Sequence, residues 1–163
     1  MTAFWLVSLT SVKKCVPFCL IYFMINLESY TLADIDLVFE HLLSPSYQLR
    51  KEWSVYLHRR YKRRKDERLY YFDMMEISAM IVRRLKHKRR KTLSLFFKQV
   101  ELLMEKGDSE IRNLLAAGLI EGIQQICAYD HHIDMRHDFD PWLLPLTKTE
   151  WDAQAAGFYN LHR

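Results

Sequence analysis

Glycine and proline are scarce in this chain, four of each in 163 residues. A turn-rich all-β fold needs more of both, so that class is set aside. Cysteine is scarce as well. Cys15, Cys19 and Cys127 are an odd number without zinc-ligand spacing, and they read as reduced thiols of a cytoplasmic protein. No apolar run reaches the roughly 20 residues that a membrane-spanning helix requires, so no membrane partner is expected. A glycine-rich phosphate loop, a Gly-x-Ser-x-Gly elbow and a Cys/His pair at catalytic spacing are all missing. Catalysis is therefore left without a candidate set, and neither a cofactor nor a resident metal is expected.

What is present is apolar and unevenly charged. Half of the residues are hydrophobic and 13% are aromatic, enough for one domain of this length to bury a core. The net charge of +4 conceals a strong separation. Residues 50–98 carry 17 Lys/Arg against 5 Asp/Glu, a balance of +12. Residues 101–152 carry 4 against 11, a balance of −7. The chain is dipolar.

Residues 1–30 read as an N-terminal extension and 31–163 as a single helical domain. Lys13-Lys14 followed by the apolar run Cys15–Ile25 imitates a signal peptide, yet no small-residue cleavage site follows. A natural start at Met24 accounts for this segment most simply.

From Thr31 onward the apolar period is helical. Leu32, Ile35, Phe39, Leu42 and Leu43 make one stripe, with Thr31 and Asp34 as a capping-box relative. Ser44 is expected as N-cap of a second helix, with Pro45 in its first turn and Leu49, Trp53, Tyr56 and Leu57 as its buried face. Met74, Ile77, Ile81 and Leu85 mark a third. The fourth has the cleanest pattern, Leu93, Phe96, Phe97, Val100, Leu103 and Met104, and Gly107 is expected to end it in a left-handed cap. Asp108 or Ser109 then opens a fifth, striped by Ile111, Leu115, Leu119, Ile123 and Ile126. Beside that stripe, Leu114, Gly118 and Gly122 form a strip where another helix can approach closely. A loop of about 20 residues follows, and Thr147 with Glu150 reads as a capping box for a last helix that buries Trp151, Ala155 and Phe158. The fold class is all-α: about six helices in a compact bundle or a short, HEAT-like stack of helical hairpins.

Three constellations are candidates for chemistry. The basic segments 59–65 and 83–91 can neutralise phosphates or meet an anionic protein, though residues 59–65 spread around a helix and 86–91 fall in a link. Solvated helix ends are the simpler reading. The stretch Asp130 to Asp140 is rich in carboxylates and imidazoles, but a metal site needs ligands converging from several elements. Its Asp130-His131-His132 triplet resembles a motif of one family of metal phosphoesterases, which also requires a preceding strand and further motifs absent here. Asp73 and Glu76 share one helical face, and local pairing with the abundant arginines accounts for them better than acid–base chemistry.

The same residues carry a family resemblance. Trp53 in an early helix, then Tyr71, Asp73 and Glu76, lead to the central stretch Phe97 to Gln125, FKQVELLMEKGDSEIRNLLAAGLIEGIQQ. Pro141, Trp142, Leu143, Pro145 and Trp151 close the pattern. From about Leu43 to Asn160 the chain resembles an uncharacterised bacterial family of small helical proteins, departing from it at Leu144-Pro145, where the family has Gly-Pro. The resemblance extends to immunity proteins of bacterial toxin–immunity systems. It implies a non-catalytic module that binds and neutralises a cognate toxin domain. The loop residues Asp130, Asp134, Asp138, Phe139, Asp140 and Trp142 are then the expected partner-binding set, acidic groups for a cationic cleft beside aromatic anchors. Nucleic acid, held by the two basic segments, is the second expectation.

Overall fold

The structure, a computed structural model, describes residues 35–61 and 68–161. Seven helices account for most of these residues. Helix α1 (Ile35–Leu43) and α2 (Tyr47–Tyr61) form a first pair, and α3 (Tyr70–Lys86) and α4 (Arg90–Lys106) a second. Helix α5 is continuous over 109–128 and has three parts: α-helical Ser109–Asn113, π-helical Leu114–Ile120 and α-helical Glu121–Ala128. The short α6 (Met135–Phe139) runs into a 3-10 turn (Asp140–Trp142), and α7 (Pro145–Leu161) follows. Thr31, Leu32, Asp34, the Met24 start and the side chain of Phe158 lie outside the described residues. Among the described residues there is no strand, and no helix is long and apolar enough to cross a membrane.

The pairs follow one another in space in chain order. Helix α1 packs on α4, α3 runs along α5, and α4 with the π segment receives α7. One hydrophobic cluster runs through all of them. The stripes read from periodicity are its members: Leu49 and Trp53 from α2, Met74, Ile77 and Ile81 from α3, and all six named positions of α4. Burying each large apolar side chain contributes about 1.5–3 kcal/mol.

Several local expectations are corrected. Ser46, not Ser44, caps α2: its hydroxyl accepts from the Leu49 amide at 3.3 Å, while Ser44 donates back to the His41 carbonyl at 2.8 Å and finishes α1. Gly107 is extended rather than left-handed, with φ −72° and ψ 154°. It is glycine for want of space, since a Cβ there would lie 2.6 Å from the Leu103 carbonyl oxygen and 2.7 Å from Ile111 Cγ2. The left-handed cap is at Lys88 instead, with φ 54°. The Lys88 amide donates to Leu85 O at 2.8 Å and the Arg89 amide to Arg84 O at 2.9 Å, the paired bonds of a Schellman motif. Asp108 does cap α5, accepting from the Ile111 amide at 2.9 Å.

Gly118 and Gly122 make the expected close approach. A Cβ on Gly118 would sit 3.0 Å from Met74 Cβ, and one on Gly122 2.8 Å from Ser78 Oγ. The widened π turn leaves carbonyls facing α3, and buried Ser78 donates to Leu119 O at 3.0 Å.

Thr147 is not the N-cap of the last helix. That helix starts at Pro145, and Thr147 is buried within its first turn. Nor is residue stretch 127–146 wholly a loop, because α6 and the 3-10 turn occupy its middle.

Candidate protein-binding surfaces

The acidic stretch folds around its own backbone. Asp134 caps α6, accepting from the amides of Arg136 at 3.0 Å and His137 at 3.1 Å. Those amide bonds, with the positive charge nearby, hold its carboxyl below the ordinary aspartate range. Asp138 reaches back from the same turn to accept from the Asp134 amide at 3.0 Å. Asp130 is ion-paired with Lys86 at the end of α3 and accepts from the His132 amide at 3.2 Å, which also lowers its pKa. Asp140 pairs with Lys148 at 3.2 Å. Thus the acidic charge is partly spent on capping and on local cations.

The two aromatics of this stretch part company. Phe139 is fully buried, between the rings of Phe97 at 6.2 Å and Trp151 at 5.0 Å. This corrects its expected role at a partner surface: it anchors the loop to the core. Trp142 is half-buried, packs on the edge of the core and donates from Nε1 to Asp138 O at 2.9 Å. Trp142, Pro141, His132 and Asp138 line one side of a cavity of about 650 Å³, and Lys86, Lys88 and Arg90 line the other. Acidic loop and basic turn therefore face each other across it, a juxtaposition of distant segments that no sequence spacing signals.

The remaining basic residues face elsewhere. Arg83, Arg84, His87 and Arg89 line a larger groove of about 910 Å³ between α2 and α3, opposite Arg59 and Arg60. The run 86–90 is thus divided, alternate residues going to opposite sides of the Lys88 turn. Glu52 and Glu76 also enter the groove, where Glu76 accepts from Arg83 at 3.2 Å and Glu52 from Arg84. Residues 62–65 of the first basic segment lie outside the described residues.

Asp73 and Glu76 separate. Asp73 is buried and saturated: both Tyr56 and Tyr61 hydroxyls donate to its Oδ1 at 2.7 Å, and Arg68 Nε donates to Oδ2 at 3.0 Å. The Arg68 guanidinium lies 4.8 Å from the Phe39 ring centroid. Burial, then the bond to Asp73, pushes the Tyr56 phenol well above its ordinary pKa, so it stays a donor. This network locks α2 to α3 and holds Asp73 out of contact with solvent. Among the described residues, no group of three His, Cys, Asp or Glu side chains is placed to hold a metal ion.

Residues 39–160 match the family described as Domain of unknown function (DUF7674). The chain belongs to that family. No curated protein and no solved structure matches it. The DUF7674 region takes in α1 from Phe39 and nearly all of α7, so the acidic loop, the Asp73 hub and the groove all belong to the domain. The family's description assigns no activity.

Proposed function

We propose that this DUF7674 protein is a non-catalytic protein-binding module, an immunity protein of the bacterial cytoplasm that binds and neutralises a cognate toxin. Its contact surface includes the loop from Asp130 to Trp142. The observation that carries the reading is the loop's construction. Phe139 pins it to the core while the Asp134 and Asp138 caps fix its backbone, so Trp142 and the outer carboxylates are presented with little left to order. A preorganised surface loses less entropy on association, which is where affinity is won. The partner it suits is a toxin domain with a cationic substrate cleft, steered by Asp138 and Asp140 and anchored on Trp142.

The test is co-expression with the toxin domain encoded by the neighbouring gene. Wild type should bind and protect. Trp142→Ala should lose about 2–4 kcal/mol, roughly 30- to 1000-fold in affinity. The double variant Asp138→Lys/Asp140→Lys should slow association, with melting temperature reporting that each variant is folded. Failure of the wild type to bind any adjacent toxin domain sinks the immunity reading. Full protection by both folded variants moves the contact surface off this loop.

A further inference from the structure

The groove between α2 and α3 serves no purpose in the toxin-binding loop, yet it is the larger and more cationic of the two surfaces. Six cationic side chains line it: Lys51, Arg59, Arg60, Arg83, Arg84 and Arg89. Among the described residues only Glu52 and Glu76 answer them, Glu52 lying against Arg83 and Arg84 and Glu76 against Arg83. Lys51, Arg59, Arg60 and Arg89 are exposed and have no ion-pair partner among the described residues, so within these residues the groove carries a cationic surplus. The cost of that mutual repulsion is relieved when an anion enters. Arg84 adds a second observation: it is only 9% exposed, and its Nε–H has no hydrogen-bond acceptor among the described residues. Buried guanidinium donors are ordinarily satisfied.

The chemistry of the lining selects among anions. Between the arginines the surface is apolar, formed by exposed Val55 and the half-buried Tyr56 ring, with Met80 buried beneath them. Single-stranded nucleic acid held by such a groove draws much of its affinity from aromatic faces on which bases stack. Of the two rings in the lining, Tyr56 is already stacked on Trp53 at 5.2 Å with its hydroxyl held by Asp73, which leaves only His87. Glu52 and Glu76 would also oppose a continuous phosphate chain. A peptide that alternates carboxylates with aliphatic side chains meets every one of these features. Its acids take the planar arginine forks bidentately, its aliphatic groups cover Val55, and it has no charge that must lie against the two glutamates. We propose that the α2–α3 groove docks an acidic, aliphatic-bearing peptide segment of a protein partner, a second interaction surface on the opposite side of the Lys88 turn from the acidic loop.

The experiment is fluorescence polarisation on the full chain with a short labelled peptide in which Asp-Glu pairs alternate with leucines. Its controls are the same peptide with Lys replacing the acids, and a poly-dT oligonucleotide of matched charge. The acidic peptide should bind saturably and the basic one should not. Arg59→Glu/Arg89→Glu, at two exposed residues with no ion-pair partner among the described residues, should weaken binding at least about tenfold while leaving the melting temperature unchanged. Lys88→Glu/Arg90→Glu, on the far side of the turn, should stay within about twofold of wild type. Two results overturn the proposal: affinity for the acidic peptide weaker than about 1 mM, or tighter binding of poly-dT that the Arg59/Arg89 pair abolishes. The second would make the groove a nucleic-acid site. All variants leave Asp130 to Trp142 intact, so failure here and failure of toxin binding are read separately.

Discussion

Glu101 on α4 holds Thr147 on α7 by two hydrogen bonds, from the Thr147 amide at 2.9 Å and from its hydroxyl at 2.7 Å. The other oxygen accepts from the Leu146 amide at 2.8 Å. A carboxylate from a distant helix thus satisfies the orphan N–H groups at the start of α7, the task that a local cap normally performs. Negative charge at that end is also favoured by the helix dipole.

Replacing Glu101 with Ala should therefore unfasten the last helix. Two amides and a buried hydroxyl lose their acceptor, at a cost of about 1–3 kcal/mol. Glu101→Gln keeps the acceptor oxygen on one side and should lose less. Thermal or urea unfolding of the three proteins checks the order; an Ala variant as stable as wild type would place the cap elsewhere.

Two backbone substitutions should act in opposite directions. Lys88 is left-handed without being glycine, a conformation that costs an L-residue about 1–2 kcal/mol. Lys88→Gly removes that strain, at the expense of some unfolded-state entropy, and should stabilise by about 0.5–1 kcal/mol. Gly107→Ala should destabilise by about 1–3 kcal/mol, because the new methyl meets the Leu103 carbonyl oxygen, a backbone atom that cannot swing away. Were Gly107→Ala neutral and Lys88→Gly harmful, the roles of the two positions would be reversed. Equilibrium unfolding midpoints decide it.

Cys127 is buried, and its thiol is pushed up from 9.0 to about 12, first by burial and then by Asp130 and Asp138. Thiolate is the reactive form, so in a chain carrying Cys15→Ser and Cys19→Ser the folded protein should resist iodoacetamide at about pH 8.5 and react once denatured. The stability consequence has a definite sign. Above the unfolded pKa the unfolded thiol loses its proton while the folded one keeps it, so the unfolded state binds fewer protons. Stability should fall as pH climbs from about 9 towards 12, and less steeply in Cys127→Ala, where that group is gone. Parallel pH dependence of the two proteins would show that Cys127 contributes nothing to it.

Much of the fold was legible from spacing, because a helix buries one stripe and the period of that stripe is local information. The α4 positions from Leu93 to Met104 are the plainest case, all of them buried as expected. Asp108 as a cap, and Gly118 and Gly122 as points of close approach, were readable for the same reason. Local pairing of Asp73 with arginine was readable in kind, through Arg68, but not the two tyrosines that complete its shell.

Thus the sequence by itself determined that this protein is all-helical, which faces of its helices are buried, and where charge of each sign accumulates along the chain. Tertiary structure alone decided what those charges meet. Lys86 and Asp130 are separated by 44 positions yet form an ion pair, Glu101 caps a helix that begins 44 residues later, and Phe139 turns inward where Trp142 remains half outside. The physical reason is the range of the interactions. Periodicity and caps act within one or two turns, whereas ion pairs, remote caps and aromatic packing depend on which helices become neighbours, and a stripe of leucines does not name its partner.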